Sequence, residues 1–178
     1  MKTYLIHMST ATEREELVKS IVDLTSAEIF EGIIVPGDGN RGCTLSHYHI
    51  YKQIPKDEDL LIFEDDCEII DPSFITYIEE KKKRYDVVFI GVNSLGVDIK
   101  QRVLSYGTHA MWISRKALNA FIEYFPKAKA KAIDGIWNEL EHIYKLKYFR
   151  PKDINRFVKQ KEGLISYITG KPRITPEH

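Results

Sequence analysis

Three observations on this chain of 178 residues predict an α/β fold, a sandwich with a mainly parallel central sheet flanked by helices. Strand-like and helix-like segments alternate for most of its length, the pattern of a sheet layered with crossover helices. Residues 60–63, Leu-Leu-Ile-Phe, form a continuous apolar run, which suits a central strand buried on both faces. That run ends abruptly in Glu64-Asp65-Asp66. In open α/β sheets the ligand crevice lies beyond the carboxyl ends of the strands, where these acids would sit.

The elements follow in order. Residues 3–8 read as a first buried strand. Thr12 and Glu15 make a capping-box pattern, and Leu17, Val18, Ile21 and Leu24 recur behind it at helical spacing. Residues 27–30 are a second strand. Residues 36–40, Pro-Gly-Asp-Gly-Asn, are a loop by their turn chemistry, and residues 48–53 a short helix before the acidic strand. Asp71-Pro72 opens a helix with proline at its first position. It closes on Lys81, Lys82, Lys83 and Arg84, whose charge opposes the negative end of the helix dipole. Residues 85–90 and 108–114 are further strands. Residues 115–125 and 133–146 are helices, separated by Pro126 and a Lys/Ala-rich hinge. No repeat, low-complexity tract or boundary interrupts the chain, so residues 1–178 read as one domain, large enough to bury a core without staples.

Composition narrows the function classes. Hydrophobic content of 43% argues against disorder. Lys plus Arg and Asp plus Glu both total 26, so net charge is zero and bulk attraction to nucleic acid is not indicated. The charge is unevenly spread. Residues 57–71 hold acids and no base, whereas the segment from Lys145 to Arg173 is basic and could dock on an anionic acceptor or membrane surface. Met1-Lys2 leads directly into a strand-like run without an apolar h-region, so no signal peptide is expected. No stretch approaches the roughly 20 apolar residues of a membrane span. Cys43 and Cys67 are too few for a disulfide framework and carry no zinc spacing. A cytoplasmic chain with reduced thiols is the expectation.

The acidic strand end carries the chemistry. Side chains alternate along a strand, so Glu64 and Asp66 would share one face and Asp65 the other. Carboxylates converging on one point repel unless a cation lies between them. Oxygen-only ligation selects manganese or magnesium, ions that commonly bridge the phosphates of a nucleotide. The plain alternative is a strand running into a solvated acidic loop. No G-x-G-x-x-G follows the first strand, and there is neither a Walker loop nor a G-x-S-x-G elbow, which argues against the usual dinucleotide, P-loop and hydrolase sites.

Arg41-Gly42-Cys43-Thr44-Leu45-Ser46-His47, followed after a short helix by apolar-Glu64-Asp65-Asp66, resembles glycosyltransferase family 25, which includes lipooligosaccharide and collagen galactosyltransferases. Asp86-Val-Val-Phe-Ile-Gly91 is similar to the family's Asp-strand-Gly segment. Gly107-Thr108-His109-Ala110-Met111-Trp112-Ile113-Ser114 is similar to its Gly-Thr-x-Ala strand. Ala132-Ile133-Asp134 stands where the family often has Pro-Val-Asp, and Ser166-Tyr167-Ile168 resembles a late Ser-x-Ile element. Two departures stand out. His7-Met8 replaces the usual Asn-Leu, and the brief stretch between Gly91 and Gly107 implies trimmed acceptor loops.

The resemblance implies a GT-A fold and an inverting, metal-dependent transfer of a sugar, galactose or a relative. The donor would be a nucleotide sugar, UDP-linked, and the acceptor a glycan or protein hydroxyl. Glu64, Asp65 and Asp66 would hold manganese or magnesium, with Asp66 the leading ligand. Asp134 matches the family's late Asp and would be the general base; its plain alternative is a helix N-cap. His47 would position the donor or a metal-bound phosphate, although a histidine near a helix start is as often structural. Ser46 would anchor the local backbone. Arg14 could reach the diphosphate or pair with a neighbouring Glu. Asn93 and Ser94 could bond sugar hydroxyls or simply form a turn. Thr108 and His109 would lie near the crevice, and Trp112 and Trp137 could stack on a sugar or pack in the core. Two competing readings remain open: a trimmed, inactive sugar- or partner-binding module, and a nucleotidyl- or phosphoryl-transferase using the same acids.

Overall fold

The apolar run at residues 60–63 is the middle of a six-stranded sheet. A computed structural model describes residues 1–98 and 101–161. The Ser166-Tyr167-Ile168 element and the end of the basic segment lie outside them. In chain order the elements are β1 (Lys2–His7), α1 (Glu15–Thr25), β2 (Glu28–Glu31), α2 (Gly39–Gln53), β3 (Leu60–Glu64), β4 (Cys67–Ile69) and α3 (Phe74–Lys81). Then follow β5 (Val87–Val97), β6 (Val103–Ile113), α4 (Arg115–Tyr124), α5 (Ile133–Ile143), β7 (Tyr148–Phe149) and β8 (Val158–Gln160).

The main sheet runs β2-β1-β3-β6-β5-β7. β1 pairs in parallel with β2 and β3, and β5 in parallel with β7, whereas β6 runs antiparallel to both its neighbours. The sheet is therefore largely parallel with one reversed strand. Period-2 alternation along β3 divides the core. Leu60 and Ile62 face α2, α4 and α5, in a cluster with Tyr51, Phe121 and Trp137. Leu61 and Phe63 face the other side, with Val18 and Ile21 of α1, Phe74 and Ile78 of α3, and Trp112. Trp112 and Trp137 are both core residues; neither is available to stack on a sugar.

Several expectations change. The capping box does not form. The chain makes a 3-10 turn over Thr12–Arg14, α1 starts at Glu15, and neither start has a side-chain cap. This tighter turn carries Arg14 inward, where it is buried. α2 begins at Gly39 instead of Tyr48, capped by Asp38, whose carboxylate accepts from the Arg41 amide at 3.0 Å. Cys43, Ser46 and His47 consequently project from the body of a helix, not from a loop before one. The stretch between Gly91 and Gly107 is a long β5–β6 hairpin, so Asn93 and Ser94 lie within a strand and form no turn. The register of that hairpin slips at Gly91, where a Cβ would meet His109 Nε2 at 2.7 Å. Among the described residues no helix is long and apolar enough to cross a membrane.

Candidate active site

Where β1, β2 and β3 end at their carboxyl edge, the following segments enclose a cavity of about 320 Å³. One wall is the loop at residues 32–38 with the start of α2; the other is Arg14 with Glu64, Asp65 and Asp66. The loop wall is apolar, through Ile33, Ile34, Val35 and Pro36. It is tied to α2 by Ser46, whose hydroxyl accepts from the Ile33 amide at 2.8 Å and donates to the Gly42 carbonyl at 2.9 Å. Ser46 thus anchors backbone, as expected from the sequence.

The three acids diverge. β3 ends at Glu64, and Asp65 and Asp66 fall in the turn that leads to β4. Glu64 continues the α2-facing side of the strand and meets that helix: its Oε1 lies 3.2 Å from His47 Nε2 and accepts from the Cys43 thiol at 3.4 Å. Asp65 turns to the opposite side, as alternation predicts. One oxygen accepts from Arg14, and the other lies 2.9 Å from His7 Nδ1 and accepts from the Met8 amide at 3.2 Å. Asp66 lies past the strand end and, instead of standing beside Glu64, accepts from Gln160 Nε2 at 2.8 Å, with Arg14 Nη1 4.0 Å away. Arg14 is thus buried against the acids and lines the cavity, in addition to its contact with Glu13.

The remaining sequence-predicted residues fall around this centre at different distances. His47 is buried between Glu64 and the Tyr51 hydroxyl, 2.9 Å from Nδ1, and is not part of the cavity wall. Asp134 is the second residue of α5, whose N-cap is Ala132, so it is not the cap. Its carboxylate accepts from the Gly107 amide at 3.1 Å and ties α5 to β6. Thr44 on α2 donates to the Lys131 carbonyl at 2.9 Å, which brings the start of α5 alongside Cys43. Asn93 donates to Gln160 Oε1 at 2.6 Å, so the single Gln160 side chain joins Asn93 to Asp66. Ser94 sits further along the hairpin, in register with Tyr106, and Thr108 pairs with Val92. His109 is buried, with Nδ1 2.8 Å from the Gly107 carbonyl, and is not a wall residue either.

Cys43 is the electrostatic centre of the arrangement. Burial first, then the charges of Glu64, Asp66 and Asp134, push its thiol well above its usual range. Three carboxylates, from the end of β3, the turn after it and α5, therefore act on one point beside the cavity. In the sequence Cys43 stands only as a letter of the family motif, and nothing marks Gln160 or Tyr51. The i, i+4 spacing of Cys43 and His47 is the available signal, masked by the weak helix formers Gly39, Asn40 and Gly42 at the start of α2. His7 was visible only as a departure from the family pattern; here it is a partner of Asp65.

Residues 37–95, about a third of the chain, match glycosyltransferase family 25, described as an LPS biosynthesis protein family. That segment contains the whole of α2, β3 and the three acids. No curated protein matches the chain in sequence. Among solved structures, a Drosophila β-1,4-galactosyltransferase 7 in complex with manganese, UDP-Gal and xylobiose is similar with a TM-score of 0.56 at 8% identity, over 89% of this chain and 69% of that one. A glycosyltransferase involved in glycosylating the major capsid of PBCV-1 is similar with a TM-score of 0.55 at 10% identity, over 89% and 92%. A 4-diphosphocytidyl-2C-methyl-D-erythritol synthase from Anaerococcus prevotii is similar with a TM-score of 0.51 at 13% identity, over 86% and 71%. At these identities the structures establish the shared fold, one common to glycosyltransferases and nucleotidyltransferases. The resemblance drawn from the motifs is matched by the family model over residues 37–95, and the fold around that segment is one that glycosyltransferases adopt.

Proposed function

We propose that the chain transfers a sugar, galactose or a relative, from a UDP-linked donor to a hydroxyl of a glycan or protein, with inversion at the anomeric carbon. The observation that carries this reading is the two-sided cavity at the carboxyl edge of the sheet. Its apolar loop wall suits a nucleobase, and its charged wall suits a diphosphate with a cation. Inversion and the sugar rest on the family resemblance alone. UDP-galactose and manganese, both named for the Drosophila fold relative, are the first pair to try.

The acids fit a hard divalent ion in part. Glu64 and Asp66 both line the cavity, and one or two carboxylates plus substrate phosphates are a usual set for magnesium or manganese. Asp65 fits less well, since both its oxygens are engaged by Arg14, His7 and the Met8 amide. We assign Glu64 and Asp66 as the metal donors and Asp65 as the group that holds Arg14 at the cavity. A divalent ion held there by Glu64 and Asp66 would supply positive charge against the diphosphate leaving group. Arg14 adds a second positive charge on the same wall, screened from solvent and so more effective than at the surface.

His47 positions Glu64 and does not touch the substrate. Ser46 fixes the loop that covers the base. Asp134 removes the acceptor proton, and Asn93, Ser94 and Thr108 on the β5–β6 hairpin form the adjoining surface where donor sugar and acceptor meet, while the buried His109 stays on the Gly107 carbonyl and supports that hairpin. Gln160 couples that edge to Asp66. The setting we infer is a cytoplasmic enzyme acting on a lipid-linked glycan, surface polysaccharide or protein, with the basic C-terminal segment as a peripheral contact. Within the described part of that segment, Lys159 and Lys161 are already paired with Glu68, and Arg150 with Glu141, which leaves Lys145, Lys147, Lys152 and Arg156 as the candidates for such a contact.

The test is release of UDP from UDP-sugars with manganese and after chelation. The expected result is manganese-dependent release from one donor, with acceptor-dependent turnover reduced about 10²- to 10⁴-fold in Asp134→Asn while donor binding persists. Turnover of ATP without any preference for a sugar nucleotide would favour nucleotidyl or phosphoryl transfer instead.

A further inference from the structure

Cys43 and His47 stand four residues apart on α2, so their side chains leave the same face of the helix. Both reach one oxygen. Cys43 Sγ is 3.4 Å and His47 Nε2 3.2 Å from Glu64 Oε1. The three ligand atoms lie within 4.8 Å of one another, the one such trio among the described residues. Tetrahedral zinc, with bonds of about 2.0–2.3 Å, places neighbouring ligand atoms about 3.3–3.7 Å apart. Two edges of the trio already stand at or close to that spacing.

Two further features point to a ligand. The Tyr51 hydroxyl, 2.9 Å from His47 Nδ1, holds the far side of the imidazole, as the outer partner of a metal-bound histidine does. Tyr51 is itself fully buried, so the ring is fixed with Nε2 aimed at Glu64. Cys43 and Glu64 also belong to the cavity wall, which leaves a fourth position facing open space.

We propose that Cys43, His47 and Glu64 form a binding site for a soft divalent ion of the zinc type, with its fourth position open to the cavity. One thiolate, one imidazole nitrogen and one carboxylate oxygen suit zinc, whereas manganese and magnesium favour oxygen donors. On binding, the Cys43 thiol proton leaves to water, Nε2 turns its lone pair to the ion, and the Nδ1 hydrogen is donated to Tyr51. The site goes beyond the glycosyl-transfer reading because it needs no sugar nucleotide. It shares Glu64 with that reading, so zinc bound here takes that carboxylate away from the hard ion.

Cobalt(II), titrated into the wild-type protein without nucleotide, tests the site. The expected spectrum saturates at one equivalent, with sulfur-to-cobalt charge-transfer absorption and the visible bands of four-coordinate cobalt, both bleached by zinc. Cys43→Ser removes the charge-transfer band. Cys67→Ser keeps it, since Cys67 is fully buried against the His109 carbonyl. In wild type, zinc at about ten times its dissociation constant slows alkylation of Cys43 about tenfold, and manganese does not. A cobalt spectrum without charge transfer, a band that survives Cys43→Ser, or an alkylation rate unmoved by zinc overturns the site. None of these readouts involves a donor, so their failure leaves glycosyl transfer standing, and failure of donor binding leaves them untouched.

Discussion

Asp65 illustrates what a residue's neighbours in sequence do not disclose. The triplet Glu64-Asp65-Asp66 identifies a strand end rich in charge, but the partners that give each acid its role arrive from 17 to 94 positions away. Alternation correctly sends Asp65 to the side opposite Glu64. It fails for Asp66, because the strand has already ended and the chain is turning toward β4. The sequence leaves Arg14 between the diphosphate and a pair with a neighbouring Glu, since nothing local shows the tight turn that carries it to Asp65. The buried Arg14–Asp65 pair makes a sharp prediction. Arg14→Met leaves the buried Asp65 carboxylate with only His7 and the Met8 amide as partners and lowers stability to urea unfolding by up to about 3 kcal/mol, whereas Arg14→Met with Asp65→Leu recovers part of the loss. Equal loss in both variants would mean that packing, and not charge, is what Arg14 supplies.

At the scale of elements, what was legible followed the apolar pattern. The amphipathic helices α4 and α5 and the strands β1 and β3 were found close to their observed limits because buried positions recur there at periods of 3.6 and 2. α2 was missed over most of its length. Its first half carries Gly39, Asn40, Gly42, Thr44 and Ser46, all weak helix formers, and it is held by the Asp38 cap and by contact with the loop it covers. Gly42 is the point of closest approach: a Cβ there would stand 2.3 Å from the Ile33 carbonyl oxygen. Backbone cannot yield as a side-chain tip does. Gly42→Ala is therefore expected to cost about 1–3 kcal/mol by chemical denaturation and to weaken donor binding, because the displaced loop is the apolar wall of the cavity. Unchanged stability would show that helix and loop are not held together as described. The β5–β6 hairpin was underestimated for another reason. Its outer half exposes Leu95, Val97 and Tyr106 and so lacks the inward apolar run that marks a strand.

Over the whole molecule, the alternation of strands and helices was enough to give a largely parallel sheet, but not the reversal of β6. That direction is fixed by a hairpin whose turn chemistry is weak in the sequence. The deep core has a pH consequence. Burial pushes Cys67, Tyr51 and Tyr148 well above their ordinary values of 9.0, 10.0 and 10.0. Below pH 9 both folded and unfolded chains keep these protons, and the stabilisation is complete. As pH rises further the unfolded chain releases protons that the folded chain retains, so stability falls, first through Cys67 and Cys43 and then through the tyrosines, by about 1.4 kcal/mol per unit for each group. Thermal melting should decline above pH 9, and only replacement of both thiols, Cys43→Ala with Cys67→Ala, should move the onset toward pH 10; a melting temperature flat through this range would contradict the buried assignments. The central claim, a sugar-nucleotide site closed by a hard ion on Glu64 and Asp66, is tested most directly by calorimetric binding of a panel of UDP- and GDP-sugars to wild type and Asp66→Asn, with and without manganese. The account predicts one donor that binds only with manganese and loses about tenfold or more in affinity in Asp66→Asn. Equal binding by Asp66→Asn, or no sugar-nucleotide binding under any metal condition, would contradict it.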